Sequence, residues 1–431
     1  MRLEKQGSLF PEMLEDARVA DAAASTFTKN LSLPVHRWFR YSAGFSAEWA
    51  EQVIREHGAA GRCRVFDPFA GSATTLLAAE IVGSESVGVD SHPFVARIAR
   101  AKLAWRSSPD EYRAKIERIQ RVARDLVPAP LQYPPLIHKC YDEASLESLD
   151  RLRRALELVE DETPACELAW LTLVAILRKC SQAGTAPWQY VLPKKKKGSP
   201  REPFQAFEDC ARMFFADIRR GQQIVGPRSV FHQGDARTCD GVPPGWADLV
   251  VTSPPYPNNY DYADAVRLEM SFLGEIQGWG ELQDRVRRHL VRSCSQHVPE
   301  HSMNLADVLA AAELTPIAPQ LAMVCEELAE VRKTKGGRKT YHLMVAGYFQ
   351  DLARVWIALR RVCVPDARVC FVVGDSAPYG VYVPVIPWLG ELALAAGFKS
   401  YRFERTRARN IKWKNRKHRV PLQEGRLWVE G

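Results

Sequence analysis

From about Phe66 the apolar positions settle into a repeating rhythm. "CRVFDPFAGSATTLLAAEIVG" runs from a short apolar strand through a turn into an apolar helix, and "ESVGVDSHPFVARIARAKLAW" repeats the unit. Two such units in succession predict a parallel sheet joined by right-handed crossovers. The rhythm then lapses. From about Ser107 to Arg228 the apolar residues recur at helical spacing, as in "LESLDRLRRALELVEDETPACELAWLTLVAILRKCSQAG", and the stretch closes on the charged "LPKKKKGSPREPF". Strand character returns in "SVFHQGDA" and "WADLVVTSPPY", and a second helical stretch covers roughly residues 263–339. Beyond it, "YHLMVAGYFQDLARVWIALRRVCVPDARVCFVVGDS" reads as helix, turn and strand. "VPVIPWLGELALAAGFKSYRFERTRAR" reads as another helix and strand, and "EGRLWVEG" as a last strand.

The simplest account is one α/β sheet domain built from residues 30–106, 229–262 and 340–431. Two mostly helical insertions, 107–228 and 263–339, interrupt it, and residues 1–29 form a polar, alanine-rich flexible arm. Composition supports a globular chain able to bury a large core: 431 residues, 46% hydrophobic and 26% charged. No apolar run reaches the eighteen or so residues of a membrane span, and the first residues lack the apolar core of a secretory signal. Ten cysteines without any CxxC argue against a zinc site and against a disulfide framework, so no metal is expected and the reduced cytoplasm is the expected compartment. A net charge of +8 suits a polyanionic partner without demanding one.

Three stretches carry candidate chemistry. In "DPFAGSATT", a glycine and small residues between strand and helix let backbone approach a ligand closely at a helix start. Asp90 ends the next strand, where an acid can accept hydrogen bonds from ribose hydroxyls. Asp235, in "HQGDAR", follows an apolar strand in the same orientation. A bare βα turn and a surface aspartate would read the same. The third stretch is the sharpest. In "VVTSPPYPNNYDY", paired prolines end a core strand abruptly, since neither can donate to the sheet ladder. Ser253 offers a hydroxyl, Pro254 and Pro255 a rigid backbone with free carbonyls, and Tyr256 an aromatic face. Such a lip can accept hydrogen bonds from an exocyclic amine and stack on the ring that bears it.

"DPFAGSATT" and "TSPPY" resemble motifs I and IV of the S-adenosylmethionine-dependent amino-methyltransferases of DNA. Serine before the prolines is typical of the N4-cytosine enzymes, whereas adenine-N6 enzymes more often carry Asp or Asn there. "LPVHRWFRYSAGFSAEWAEQVI" resembles motif X, and "GVDSHP" and "GDAR" match the acidic motifs for ribose and adenine. Ser72-Ala73 stands where a second motif I glycine is common, and cofactor motifs precede the SPPY motif, the reverse of many N4-cytosine enzymes.

The resemblance implies a Rossmann-like class I methyltransferase fold, a mostly parallel seven-stranded sheet with helices on both faces. It implies S-adenosylmethionine as cofactor, with Asp67, Phe69, Ala70 and Gly71 at its methionine end, Asp90 on the ribose, His92 (with Pro93) on the adenine face and Asp235 on the adenine amine. Phe39, Ser42 and Ser46 would lie near the carboxylate. Ser253, Pro254, Pro255 and Tyr256 would be catalytic, acting on a base flipped from duplex DNA. Asn258, Asn259, Tyr260 and Tyr262 would contact the base or backbone. The runs Lys194, Lys195, Lys196 and Lys197, read as a mobile loop, and "RTRARNIKWKNRKHR" with Arg416 would meet phosphates, and either insertion could read the target. A restriction nuclease or defence system would be a natural partner. The alternatives are adenine-N6 methylation of DNA, an RNA or tRNA amino-methyltransferase, and a silent nucleic-acid-binding protein that keeps the fold.

Overall fold

The computed structural model describes residues 27–41, 44–58, 61, 63–186, 189–409 and 421–431. The arm expected at 1–29 lies almost wholly outside them. Short 3-10 turns at Phe27–Ser32 and His36–Trp38 lead into α1 (Ala47–Gly58). The two repeated units become β1 (Arg64–Asp67), α2 (Thr74–Val82), β2 (Glu85–Asp90) and α3 (Pro93–Leu103). The first insertion contributes α4 (Pro109–Asp125), α5 (Pro135–Cys140), α6 (Glu143–Leu158), α7 (Pro164–Cys180), a hairpin of β3 (Ala183–Thr185) and β4 (Val191–Lys196), and α8 (Pro203–Gly221). β5 (Val230–Gln233) and β6 (Ala247–Thr252) return to the sheet. The second insertion holds α9 (Arg267–Phe272), α10 (Leu282–Arg285), α11 (Leu305–Leu309) and α12 (Ala318–Lys333). α13 (Tyr341–Val362), β7 (Cys363–Gly374), α14 (Val385–Ala395), β8 (Ser400–Arg409) and β9 (Leu422–Glu430) complete the chain.

The helix starts follow from local chemistry. Proline occupies the first turn of α3, α4, α5, α7 and α8, where its missing N–H costs nothing. The Ser108, Asp142, Thr163 and Glu202 side chains accept the orphan N–H groups at the starts of α4, α6, α7 and α8. The expected Rossmann-like class I methyltransferase sheet forms, seven strands in the order β5-β2-β1-β6-β7-β9-β8. The β5-β2-β1-β6-β7 pairings are parallel, and β9 runs antiparallel between β7 and β8. The order reverses between β1 and β6, so their carboxyl ends flank the crevice where ligands bind in such sheets.

Alternation along the strands sorts the core. Phe66, Val250, Val369 and Phe371 pack with α13 and α14, while Val65, Leu249, Val251 and Val372 pack with α1 and α2. Gly88 of β2 is required by a close approach: a Cβ there would lie 2.6 Å from the Leu76 side chain and 2.9 Å from the Ala70 Cβ. The turn after β1 is thereby pressed onto β2.

The first insertion is fused to this core rather than hung from it. Phe94 and Ile98 of α3 share one apolar cluster with Tyr112, Leu149, Leu168 and Phe214. Asp217, fully buried on α8, accepts from the Val35 N–H, the Arg37 guanidinium and the Trp38 indole N–H, and Trp38 stacks on Phe214 at 4.1 Å. The second insertion is divided: Leu268 and Phe272 join that cluster, whereas Leu314, Leu321 and Leu328 join the α13–α14 core. One expectation is corrected. The tetralysine stretch is not a loop: Lys194–Lys196 form the end of β4, laddered antiparallel to β3. Pro193 is tolerated because each strand of a two-stranded ribbon is an edge.

Candidate active site

At the exit of β1 the Asp67 carboxylate is buried and accepts from Thr75 Oγ1 (2.6 Å), Thr252 Oγ1 (2.6 Å) and the Phe69 N–H (3.0 Å). Burial pushes its pKa up to about 6 against those three donors. The turn then passes through positive φ at Gly71 (50°) and Ala73 (69°) before α2 begins. A Cβ at Gly71 would stand 3.3 Å from the Tyr41 ring, which folds over the turn. The Ala70 N–H is bound to the Val89 carbonyl, and the Gly71 N–H to Asp90 Oδ2 at 2.8 Å. Asp90 Oδ1 takes the His92 N–H at 2.9 Å. Burial raises the Asp90 pKa, opposed by those two backbone bonds. Each oxygen keeps lone pairs for a ligand. His92 is buried, and neither ring nitrogen makes a well-formed hydrogen bond among the described residues. Burial lowers its pKa to about 4 despite the Asp261 charge, so the ring is neutral.

At the exit of β6, Ser253 Oγ donates to the Val372 carbonyl at 3.1 Å. That bond leaves lone pairs on Oγ, and the Tyr256 phenol lies within hydrogen-bond reach of it. The Pro254 carbonyl accepts no hydrogen bond from the described residues. Burial raises the Tyr256 phenol pKa, and the Arg409 guanidinium lies over its ring, 5.4 Å from the centroid. Arg409 also pairs with buried Glu424. Ser376 Oγ donates to the Pro257 carbonyl at 2.6 Å. Asn259, at φ 65°, uses its side-chain oxygen on the Ser295 N–H (2.9 Å) and hydroxyl (2.6 Å). Asp261 pairs with buried Arg287 at 2.7 Å. Burial alone would raise the Asp261 carboxyl, but His297 and Arg287 hold it at about 2.

These two exits open onto one cleft. Of the residues expected from sequence, Asp67, Phe69, Ala70, Gly71, Asp90, His92, Ser253, Pro255 and Tyr262 line it. Others fall elsewhere. Phe39 is buried in the core shared with the first insertion, because that insertion covers its face. Ser46 is buried at the start of α1, its Oγ accepting weakly from the Trp49 N–H. Asp235 lies outside the lining and is held bidentately by Arg237, which also reaches Asp351. The Asn258 side-chain oxygen accepts the Tyr260 N–H, closing a local turn. Tyr260 stacks on Tyr190 at 5.5 Å and meets Tyr262 edge-on at 4.6 Å. Lys194, Lys195 and Lys196 are exposed along β4, and Lys197 Nζ donates to the Arg178 carbonyl. Ser42 and Arg416 lie outside the described residues. No group of metal ligands occurs among the described residues, and none of their helices is long and apolar enough to cross a membrane.

Sequence reasoning missed several lining residues. Tyr41, Gly44 and Phe45 stand inside the stretch that resembles motif X, so a signal existed; Leu290 and Val291 arrive from the second insertion with none.

No family model and no solved structure matches the chain. Among curated proteins it is similar to the type II methyltransferase M.BsoBI of Geobacillus stearothermophilus, 24% identical over 440 residues that cover 93% of this chain and 85% of the relative. It is also similar to the type II methyltransferases M.AvaI of a Nostoc strain and of Anabaena variabilis, each 24% identical over 404 residues covering 86% of this chain and 81% of the relative. The similarity therefore runs through sheet and insertions alike.

Proposed function

We infer that the chain is an S-adenosylmethionine-dependent DNA methyltransferase of the N4-cytosine type, which methylates the exocyclic amine of cytosine in duplex DNA. One observation carries the mechanism: the turn after β1 and the Ser-Pro-Pro-Tyr lip after β6 share a cleft, and the lip presents two acceptors.

The residues present fit the cofactor. Asp90 has lone pairs free for ribose hydroxyls, neutral His92 has two nitrogens without a well-formed hydrogen bond among the described residues, and Tyr41 and Phe45 supply apolar walls. When bound, S-adenosylmethionine supplies an electrophilic methyl group on a sulfonium. The chain's own part is then positioning. Ser253 Oγ and the Pro254 carbonyl hold the two amine hydrogens, which favours a pyramidal nitrogen whose lone pair is free to attack. Tyr256 stacks on the cytosine ring, with Arg409 backing its electron-rich face. With the cofactor bound, Ser253 and Pro254 would hold the amine nitrogen in line for the sulfonium methyl group while the surplus amine proton passes to solvent water. Orientation and fixed dipoles supply the acceleration, with no covalent intermediate on the enzyme.

Exposed Lys194, Lys195 and Lys196 meet DNA phosphates in this reading, and the two insertions share target recognition. The likeness to type II methyltransferases supports a role beside a restriction nuclease, in the cytoplasm where genomic DNA lies. The test is direct. Duplex DNA is incubated with enzyme and labelled cofactor, digested to nucleosides and resolved by mass. N4-methylcytosine is expected; N6-methyladenine, or label only in an RNA substrate, would overturn the assignment.

A further inference from the structure

We propose that Tyr190, at the root of the lysine-bearing hairpin, is a positioning residue for the loop that carries the Ser-Pro-Pro-Tyr lip. The inference rests on the function proposed above and adds to it the element by which the first insertion acts on the transfer site.

Tyr190 does not line the cleft. Its phenol oxygen accepts the Asp261 N–H at 2.7 Å, and its ring stacks on Tyr260 with centroids 5.5 Å apart and planes 26° from parallel. Tyr260 in turn meets the edge of Tyr262, which lines the cleft together with Ser253 and Pro255. Three tyrosines thus form a continuous aromatic support from the insertion to the transfer site. Arg178, at the end of α7, secures both ends of the support. Its guanidinium donates to the Gln189 carbonyl (2.5 Å) and the Ala265 carbonyl (2.7 Å), and pairs bidentately with the fully buried Glu269.

From Tyr190 the backbone runs straight into β4, whose ladder with β3 makes it a ribbon, and that ribbon ends in exposed Lys194, Lys195 and Lys196. A phosphate contact on the lysines therefore acts on the same rigid piece that holds Asp261 and Tyr260. Further anchors of the loop come from the second insertion, Ser295 on Asn259 and Arg287 on Asp261, and from the sheet domain, Ser376 on Pro257. The loop is clamped between the two insertions, and Tyr190 is the jaw that carries the DNA-facing lysines.

Tyr190→Phe tests this, since it keeps the ring and removes the acceptor of the Asp261 N–H; Tyr190→Ala removes both. Hydrogen–deuterium exchange of the peptide spanning residues 256–264 is read without DNA, beside single-turnover methyl transfer, DNA KM, cofactor-analogue affinity and Tm. For Tyr190→Phe we expect faster exchange in that peptide and a methyl-transfer rate down roughly tenfold, the scale of a buried donor left without its acceptor. KM for DNA and analogue affinity should stay within about twofold of wild type, as for an interaction that acts on the rate alone. Tyr190→Ala should deepen both losses. Unchanged exchange, or an unchanged rate, overturns the proposal. So does a rate loss matched by equal losses of analogue affinity and Tm, which would mark Tyr190 as a general packing residue. Should the wild type methylate a different base, or RNA, the function above fails while the exchange and the rate on that substrate still decide the role of Tyr190. Should it methylate nothing, the exchange decides alone.

Discussion

The exits of β1 and β6 lie side by side at the sheet's switch point, yet they are held in contrasting ways. At β1 most of the bonds stay within one strand-turn-helix neighbourhood, where Asp67 binds Phe69 and Thr75 and Asp90 binds Gly71 and His92, although Asp67 also takes Thr252 of β6. At β6 the partners come from far along the chain. Ser253 donates to Val372 and Pro257 accepts from Ser376, both 119 residues away; the Asp261 N–H donates to the Tyr190 oxygen, 71 residues upstream. The cofactor side is mostly a local βαβ unit, tied to β6 through Asp67 and Thr252. The transfer loop draws its bonds from both insertions and from the sheet domain. The difference teaches where variation can act: a substitution in an insertion can retune the transfer step without touching the cofactor side.

That contrast can be broken by experiment. Asp90→Ala should have the largest effect, weakening cofactor-analogue binding on the order of a hundredfold, since two charge-assisted hydrogen bonds are lost. Calorimetric titration with the demethylated cofactor would measure it, and a near-native affinity would remove Asp90 from the site. Ser253→Ala should slow single-turnover methyl transfer by roughly ten- to thirtyfold, one acceptor's worth of barrier, while analogue binding stays as in the wild type. Loss of binding together with rate would show that the two exits are not separable.

The smallest effect is expected at Asp67, which joins the exits by taking both Thr75 and Thr252. Its folded pKa, about 6, lies above the roughly 3.9 of an unfolded chain, so the folded state binds that proton more tightly. Ionisation therefore opposes folding. The penalty is absent below about pH 4, grows as pH rises, and is complete above about pH 6. Asp67→Asn should remove this dependence, so the Tm difference between variant and wild type should shift in the variant's favour by a few degrees from pH 4 to pH 6.5. A difference that stays constant with pH would mean that Asp67 titrates alike in both states.

Much of this architecture was legible in the chain, for identifiable reasons. Apolar runs bounded by Asp67, Asp90 and the proline pair marked the sheet's carboxyl edge, because strand ends and turns are decided by neighbours in sequence. The reading stopped short where a residue's surroundings come from elsewhere. Phe39, expected near the cofactor's carboxylate, packs in the core that α8 and its neighbours complete. Asp235 ends its strand as expected, but Arg237 occupies its carboxylate, a competition that no motif reveals. The lysine run looked like a loop because three-residue β3, which pairs with it, has no strand signature of its own.

The sequence by itself determined the strand-turn-helix units, the acids at their ends and the rigid Ser-Pro-Pro-Tyr lip. Each depends on torsional limits and hydrogen bonds within a few residues, and the chemistry of an acceptor pair is written in the residue types. Only the tertiary structure decided that Ser253 gives its proton to the Val372 carbonyl. It alone brought Leu290 and Val291 to the cleft wall and placed Tyr190 under the loop. Those relations join residues tens to more than a hundred positions apart. They exist because helices pack to fill space around the sheet, and periodicity along the chain records which face is buried without recording what it will meet.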